Sequence, residues 1–515
     1  MGWTGGYCLV ALLLAPYLRK FGQFTIPDFL GARYGGNLAR PVGILAAILV
    51  SFVSVVAQIY GVGLITARLS GVDFLVGVFL GLGGILVCSF LGGMRAVTWT
   101  QVAQYIILII AYLIPVTGLS IKHTGIPIPQ AGYGFQLQKV TDRETELIND
   151  PKELEVRAIF KQRAADLDVK LKDVPGAMAA DLAAAQKKVD DLKAANAQAA
   201  EVKKAEAAVA ALPKTEVAAR EAYTAARVTN NSRAGPLGGM PAHAASFPGA
   251  TEEARSISRK NLLALVFCRM VGTAALPHIL MRYYATPSVK QARQPVAWSL
   301  FFICLLYLTA PALAVLVKYE VFNVTVETPF DKLPAWISGW AVVDPTLMSV
   351  SDINKDGILQ FGEIRMGADI IVLATPEIAG LPYVISGLLA AGGPAAALST
   401  ADGLLLTIAN ALSHDLYYKM IDPNASAARR VTISKVLPLV VALLAAYVAS
   451  LKIADILFLV LAAFSLAAAS FFPSSGAGHF LETRQQMGLH NRYGQWPGGY
   501  RLLHGYDPAV AAQGV

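Results

Sequence analysis

Long apolar stretches, separated by short polar turns, recur along most of this chain. A helix needs roughly 17–25 mainly apolar residues to cross about 30 Å of hydrocarbon, and the stretches have about that length. Polar positions dominate only in the intervals 122–257 and 319–367 and after residue 474. The pattern predicts an all-α polytopic membrane protein with about nine transmembrane helices. The predicted helices are 3–18, 42–66, 72–92, 99–121, 259–281, 296–318, 382–411, 432–450 and 453–472.

Composition agrees with this pattern and adds an orientation. Of the 515 residues, 55% are hydrophobic and 15% are charged, which is too apolar for a soluble enzyme of this length. If the first helix runs from outside to inside, lysine and arginine collect in the inner loops, as the positive-inside rule requires. The net charge of +8 therefore reflects topology, and we expect a lipid bilayer rather than nucleic acid as a partner.

The same orientation places the intervals 122–257 and 319–367 outside the membrane. Within the first interval, residues 181–212 are rich in alanine, lysine and acidic residues, and their apolar positions recur every three to four residues. Because alanine buries little surface, we predict a solitary solvated helix or a weak hairpin rather than a coiled coil. This extracytoplasmic insertion is predicted to carry no chemistry. It separates two transmembrane repeats, 1–121 and 258–473.

Three oxygen-bearing groups lie close together inside the apolar segment 382–411. Ala396, Ser399 and Thr400 stand at positions i, i+3 and i+4, so they share one face of a helix. A backbone carbonyl and two hydroxyls form a weak-field oxygen cluster that suits a hard monovalent cation. The alternative is that each hydroxyl donates back to a carbonyl one turn earlier, which is the commoner arrangement for an isolated Ser-Thr pair. The preceding "AAGGP" loosens the backbone and favours the cation.

A second segment, 259–281, is predicted to contain a broken helix. Gly272 and Pro277 interrupt its apolar run, and such a break frees backbone groups inside a membrane. Discontinuous helices near the midplane are how many secondary transporters build solute sites. Arg269 lies about one turn before the break. It either pairs with an anionic solute or extends to the outer interface, and the sequence favours neither alternative.

Four separated motifs, in order, resemble the sodium:solute symporter family, nearest to its acetate permease branch, which carries monocarboxylates. The motifs are "GQFTIPDFLGARYGGNLAR", "GGMRAVTWTQVAQY", "GTAALPHILMRYYATPSVKQAR" and "AAALSTADGLLLTIANALSHDLY". The resemblance implies a leucine-transporter-like fold of two inverted five-helix repeats. It also implies that Ala396, Ser399 and Thr400 bind sodium and that Gly272, Thr273 and Pro277 face the solute.

The family resemblance implies a sodium-coupled symporter that imports a small organic solute by alternating access. The solute would be a monocarboxylate such as acetate or pyruvate, and the location a bacterial inner (plasma) membrane. A transporter-like membrane sensor and a non-transporting truncated fragment are the alternatives, and an enzyme is not expected. Gln101 departs from the family pattern, because sugar and proline members have an aspartate there.

Both ends of the chain also depart from the family. The first predicted helix, 3–18, matches the second core helix of the family, so we expect the first core helix to be missing. The tail, 474–515, does not resemble the family's continuation. A reading shifted by one nucleotide can encode a stretch that does, so we predict a frameshifted tail and a chain truncated at both ends.

An outer motif, "DINKDGILQFGE", occupies residues 352–363. Its alternating oxygen ligands, a glycine at position six and a glutamate at position twelve fit the EF-hand pattern for calcium. The alternative is a polar turn without an ion. A lone structural calcium site is predicted, since no second loop of this kind is visible. The predicted ligands are Asp352, Asn354, Asp356, Ile358 (through its carbonyl), Gln360 and Glu363.

Overall fold

The computed structural model describes residues 2–91, 94–195, 198–249, 251–284, 286, 288, 290–291 and 295–480. Within these ranges, each predicted transmembrane segment corresponds to a helix, and seven helices are long and apolar enough to cross a membrane. In six of those seven, less than half of the most apolar window is buried within the chain, so many apolar side chains face outward, as lipid contact requires. The all-α polytopic class is confirmed. Of the predicted frameshifted tail, 474–515, residues 474–480 belong to the last helix, Ile456–Phe480, and the residues from 481 onward lie outside the described part of the chain.

The first group of helices leads into the insertion. It contains α1 (Gly2–Leu9), a π-helical turn (Val10–Leu14), α2 (Ala15–Phe21), α3 (Ile26–Tyr34), α4 (Gly36–Ser70), α5 (Phe74–Leu91) and α6 (Met94–Thr124). Local chemistry fixes the turn between α2 and α3. Gly22 has a φ of 75°, the left-handed conformation that ends α2. Thr25 begins α3, because its Oγ1 accepts a hydrogen bond from the backbone N–H of Asp28 at 3.1 Å.

The insertion is helical rather than unstructured. Its helices are α7 (Pro129–Gly132), α8 (Leu137–Asn149), α9 (Pro151–Lys172), α10 (Val174–Ala194), α11 (Ala199–Ala210) and α12 (Glu216–Arg233), with 3-10 turns at Tyr133–Gln136 and Pro236–Gly239. Helices α10 and α11 form a hairpin in which Lys193 and Glu206 pair at 2.7 Å. Helices α9 and α12 pack together, and Arg227 pairs with Asp168 at 2.7 Å. Helix packing within the insertion is therefore more extensive than the sequence pattern predicts.

The second group of elements contains α13 (Glu252–Ala274), α14 (Pro277–Tyr284), α15 (Val296–Glu320), α16 (Ala335–Val343), α17 (Ile371–Ile378), α18 (Tyr383–Asn410), α19 (Ala427–Ser450) and α20 (Ile456–Phe480). Two short strands, β1 (Met348–Val350) and β2 (Ile364–Met366), pair antiparallel with Met348 opposite Met366. Residues 411–421, directly after α18, form a π-helix (Ala411–Ile421). Further short turns are the π-helical Val321–Thr325 and the 3-10 turns Phe330–Lys332, Phe361–Glu363 and Ala368–Ile370.

Two apolar cores hold these elements together. The larger core joins α4, α5, α6, α15, α18 and α19, and it continues into the outer segments through residues such as Val140 and Trp336. The smaller core joins α2, α3, the α13–α14 break and α20 through residues such as Leu18, Phe29 and Leu280. The broken helix and α3 therefore belong to one packing unit.

The insertion and the interval 319–367 form one outer layer, a name we use for α8–α12 together with residues 321–370. The buried carboxylate of Glu153, in α9, accepts backbone N–H bonds from Phe361 and from Gly362 (3.0 Å for Gly362). Arg233, at the end of α12, donates to the carbonyl of Gly362 at 2.7 Å. The turn that follows the calcium-like loop is thus held by side chains of the insertion.

Candidate functional site

The predicted break in the fifth apolar segment is present. Helix α13 ends at Ala274, and α14 begins at Pro277. The backbone N–H groups of Ala275 and Leu276 donate to carbonyls three residues back, at 3.0 and 3.4 Å, which closes the end of α13 tightly. Because Pro277 has no N–H, the α-helical ladder stops here. Glycine and proline spacing was therefore a sufficient signal for the break.

The residues before the break are closely packed. A Cβ added to Gly272 would lie 2.5 Å from the carbonyl oxygen of Phe464 in α20, so this position requires glycine. Gly6 of α1 lies directly against Thr273. The Thr273 hydroxyl donates to the carbonyl of Arg269 at 2.7 Å. Three of the predicted solute contacts, Gly272, Thr273 and Pro277, are buried in this packing.

Arg269, the fourth predicted solute contact, is half-buried. Its guanidinium lies 5.0 Å from the ring centre of Trp3, a cation–π arrangement. Trp3 in turn stacks on Tyr307 with ring centres 5.6 Å apart. An aromatic surface therefore surrounds the cation beside the break.

The predicted sodium face lies in α18, as the spacing requires. The Ser399 and Thr400 hydroxyls both donate to the carbonyl of Ala396, at 2.7 and 3.3 Å. The three predicted oxygen groups, the Ala396 carbonyl and the two hydroxyls, therefore lie in contact with one another. Back-bonding of the hydroxyls, the alternative set out above, is the arrangement observed. Each hydroxyl uses only its hydrogen in this bond, so its oxygen lone pairs stay available to a cation.

Gln101 connects the sodium face to α6. Its side-chain Nε2 donates to the backbone carbonyl of Ser399 at 2.5 Å. The Gln101 amide thus donates to the helix that carries the predicted sodium face. The guanidinium of Arg282, in α14, also reaches this part of α18, since its Nη2 would lie 3.1 Å from a Cβ added to Gly403. Sequence reasoning missed Arg282, because only the fold brings α14 beside α18.

The calcium-like loop connects β1 to β2 rather than two helices. Glu363 is fully buried. Its Oε1 accepts backbone N–H bonds from Ile353 (2.5 Å) and Asn354 (3.4 Å), and its Oε2 accepts one from Gln360 (3.0 Å). Burial raises the pKa of the Glu363 carboxyl, and these three N–H bonds oppose that rise.

Other side-chain oxygens of the same loop accept backbone N–H bonds that stabilise the turn. Asp352 Oδ2 accepts the N–H of Gly357 at 3.0 Å, and Asn354 Oδ1 accepts the N–H of Asp356 at 3.2 Å. The second oxygen of Asp352 is buried and has no hydrogen-bond partner among the described residues. The Lys152 ammonium lies 3.5 Å from Asp356 Oδ2. The loop therefore combines satisfied and unsatisfied oxygens around one turn.

Comparisons with known proteins agree with this architecture. The sequence model described as the sodium:solute symporter family matches residues 1–161 and 368–475. An uncharacterised symporter of Cupriavidus necator is 54% identical over 490 residues, covering 93% of this chain and 71% of that protein. A monocarboxylic acid transporter of Corynebacterium glutamicum is 21% identical over 480 residues, covering 92% of this chain and 64% of that protein.

Among solved structures, the chain is similar to a Na+-coupled sialic acid symporter in a substrate-bound, outward-open state. The TM-score is 0.47 and the sequence identity 14%, with 93% of this chain and 72% of that chain covered.

Proposed function

Because the chain belongs to the sodium:solute symporter family, we propose that it imports a monocarboxylate such as acetate or pyruvate together with sodium. Transport coupled to sodium is the general function of this family, and leucine-transporter-like repeats are its architecture. The name of the Corynebacterium relative supports a monocarboxylate as the solute. The multi-pass helical fold supports a membrane location, which we propose to be a bacterial inner membrane.

The observation that carries the proposal is the convergence of Ala396, Ser399 and Thr400. A carbonyl and two hydroxyls on one half-buried face of α18 are neutral oxygen ligands. Such ligands bind a hard monovalent ion without the charge density that attracts divalent ions. Sodium bound there would stabilise one conformation of α18 and its neighbours, and its gradient would drive uptake.

We place the solute at the α13–α14 break. The half-helix α14 has its N-terminal end at Pro277, in the break, and Arg269 provides a cation beside aromatic rings. A helix N-terminus and a guanidinium both favour a carboxylate. Arg269→Gln should raise the KM for acetate. The matched control is Arg259→Gln in the same helix, whose exposed side chain pairs with Glu252 and lies over the ring of Phe247.

Uptake of labelled acetate by the full chain in proteoliposomes tests sodium coupling. An inward sodium gradient should drive uptake, whereas an equal potassium gradient should not. Replacing both hydroxyls, with Ser399→Ala and Thr400→Val, should reduce sodium-driven uptake at least about tenfold, because losing about 1.4 kcal/mol of ion binding is a factor of ten. The control is Thr407→Val, which removes a hydroxyl that makes the same kind of bond in the same helix, to the carbonyl of Gly403 at 2.9 Å.

Equal uptake in potassium, or undiminished uptake by the double variant, would contradict the proposal. A folded chain that transports in neither cation would favour the truncated-fragment or sensor alternative. Competition by unlabelled pyruvate, proline or sugar identifies the class of solute.

We also propose that the loop at 352–363 binds calcium. The alternating oxygens of Asp352, Asn354 and Asp356 and the carboxylate of Glu363 support this, and so does the unpartnered oxygen of Asp352. The site would be structural, since the loop closes a strand pair that the insertion supports.

A further inference from the structure

We propose that Asp28, His414 and Asp415 form a binding site for a divalent transition metal of the zinc class. Asp28 lies in α3, and His414 and Asp415 lie in the π-helix that follows α18. One oxygen of each carboxylate and one ring nitrogen of His414 all lie within 4.8 Å of one another. The predicted topology places this cluster at the cytoplasmic end of the bundle, far from the sodium face and the outer loop.

Burial makes the cluster unlike an ordinary group of surface acids. Asp28 and Asp415 are 1% and 0% exposed. Among the described residues, Asp28 Oδ2, Asp415 Oδ1 and His414 Nε2 are buried and have no hydrogen-bond partner. A buried polar atom without a partner costs about 1–3 kcal/mol, and more when it is charged. Each of the three residues of one cluster thus has an unpartnered polar atom, and a ligand that the three residues share best explains this.

The other oxygen of each carboxylate is already used, and this fixes the direction of the free one. The Thr25 hydroxyl donates to Asp415 Oδ2 at 2.7 Å. Arg40 Nη2 donates to Asp28 Oδ1 at 3.1 Å. Metal-binding carboxylates in proteins are oriented by outer hydrogen bonds of this kind. Arg40 neutralises the charge of only one of the two carboxylates, so a further cation would neutralise the other.

The imidazole of His414 is also held in place. The ring of Phe24 meets it edge-on and the ring of Tyr418 lies tilted against it, each with centres 5.8 Å apart. His414 and Asp415 are consecutive residues on one turn of the π-helix, and such widened helical segments are often found at functional sites. The side chains that converge here are therefore oriented before any ion binds.

The ligand types select the ion. One imidazole nitrogen and two carboxylate oxygens suit Zn²⁺ and similar first-row ions, whereas calcium and magnesium prefer oxygen alone. Protein ligands lie about 2.0–2.2 Å from zinc, so small side-chain rotations would bring the three atoms onto one ion. Three protein ligands leave a fourth position for water. A small cavity beside Asp415 reaches Pro277 and Met281 of α14, so the ion would border the broken helix.

Metal binding to the purified full chain tests this inference directly. After removal of metals, titration with Zn²⁺ should load one ion per chain at this cluster, and Co²⁺ should give the visible absorption of a low-coordinate site with nitrogen and oxygen ligands. His414→Ala and Asp415→Asn should each lower the affinity by more than about 100-fold, since loss of even an outer hydrogen bond costs about 10–100-fold. Thr25→Val should fall within that smaller range, and Thr25→Ser should restore the affinity.

Two controls separate this site from other histidines. His243→Ala changes an imidazole of the insertion, and His490→Ala with His504→Ala changes the tail; both variants should keep the ion. Failure of the wild-type chain to bind Zn²⁺ or Co²⁺ above the level of the His414→Ala variant would overturn the proposal. Retention of full affinity by Asp415→Asn would also overturn it, because the two carboxylates would then share a proton or an Arg40 contact rather than a metal. Since the titration is made first on the wild-type chain, a variant that fails to fold does not remove the test.

Discussion

Buried carboxylates occur in the outer layer and at the inner end of this molecule, and their hydrogen bonding differs between the two regions. In the outer layer, both oxygens of Glu363 and both oxygens of Glu153 accept backbone N–H bonds. At the inner end, Asp28 and Asp415 are buried to the same degree, yet each keeps one oxygen without a partner in the described part of the chain. Both oxygens of Glu153 and of Glu363 are thus used in hydrogen bonds that stabilise the fold, whereas Asp28 and Asp415 each keep one oxygen available to a ligand.

This difference distinguishes a structural role from a binding role. A buried carboxylate that backbone N–H groups satisfy stabilises a turn, and its removal leaves those donors unpaired. A buried carboxylate with a free oxygen lowers stability unless something binds it. We therefore expect substitutions in the outer layer to act on local stability, and substitutions at the inner end to act on stability and on ion binding together.

The largest effect on stability is expected for substitution of Thr25, which makes hydrogen bonds to both Asp28 and Asp415. Its hydroxyl caps α3 and also donates to Asp415. Thr25→Val removes the cap, worth about 0.5–2 kcal/mol, and leaves a buried carboxylate oxygen without its donor, worth about 1–3 kcal/mol. The metal-free variant should therefore lose about 2–4 kcal/mol of stability, measured by thermal or denaturant unfolding in detergent.

Thr25→Ser is the matched control, since it keeps the hydroxyl and removes only a methyl group. It should unfold close to the wild-type midpoint. If Thr25→Val were as stable as Thr25→Ser, the hydroxyl would not be supporting Asp415, and the inner end would no longer differ from the outer layer in this respect.

The sequence revealed the parts of this comparison that depend on local spacing. Apolar length predicted the helices, Gly272 and Pro277 predicted the break, and the i, i+3, i+4 spacing predicted the polar face of α18. The spacing of residues 352–363 also predicted a tight loop of alternating oxygens. In each case the decisive residues lie within a dozen positions of one another, so one helical or loop geometry relates them.

The inner cluster has no such local signal. Thr25 and Asp415 are 390 positions apart, and only packing of α3 against the π-helix brings them together. Both segments belong to motifs that resemble the family, but nothing in either motif shows that they touch. The strand pair around the calcium-like loop was missed for a similar reason. Three-residue strands such as Met348–Val350 are too short to show an alternating pattern.

An intermediate effect is expected in the outer layer when calcium is added. If the loop binds calcium, an ion concentration ten times Kd should stabilise the protein by about 1.4 kcal/mol. Glu363→Gln removes the charge at position twelve and should abolish most of this gain, read as the calcium-dependent shift of the unfolding midpoint. Asp331→Asn, an exposed acid outside the loop, should leave the shift unchanged. A wild-type protein that calcium does not stabilise would make Glu363 purely a support for the turn, like Glu153.

The smallest effect concerns Glu153 and pH. Burial raises the pKa of Glu153 to about 7, against the opposing N–H bonds from Gly362 and Phe361. The folded protein therefore holds this proton more tightly than the unfolded chain, whose carboxyl titrates near its ordinary value of 4.5. The resulting contribution to stability is complete below about pH 4.5 and is lost as the pH rises to about 7.

Because Glu153 supports a single turn of the outer layer, the midpoint should fall by roughly 1–2 °C between pH 5 and pH 8. Glu153→Gln keeps the shape of the side chain but cannot titrate, and it should flatten that change. Glu363 titrates in the same direction, so Glu363→Gln shows how much of the remaining slope belongs to the loop. If Glu153→Gln kept the wild-type pH dependence, the proton would reside elsewhere. The Glu153 carboxylate would then be ionised at neutral pH, with its charge stabilised by the N–H groups of Phe361 and Gly362.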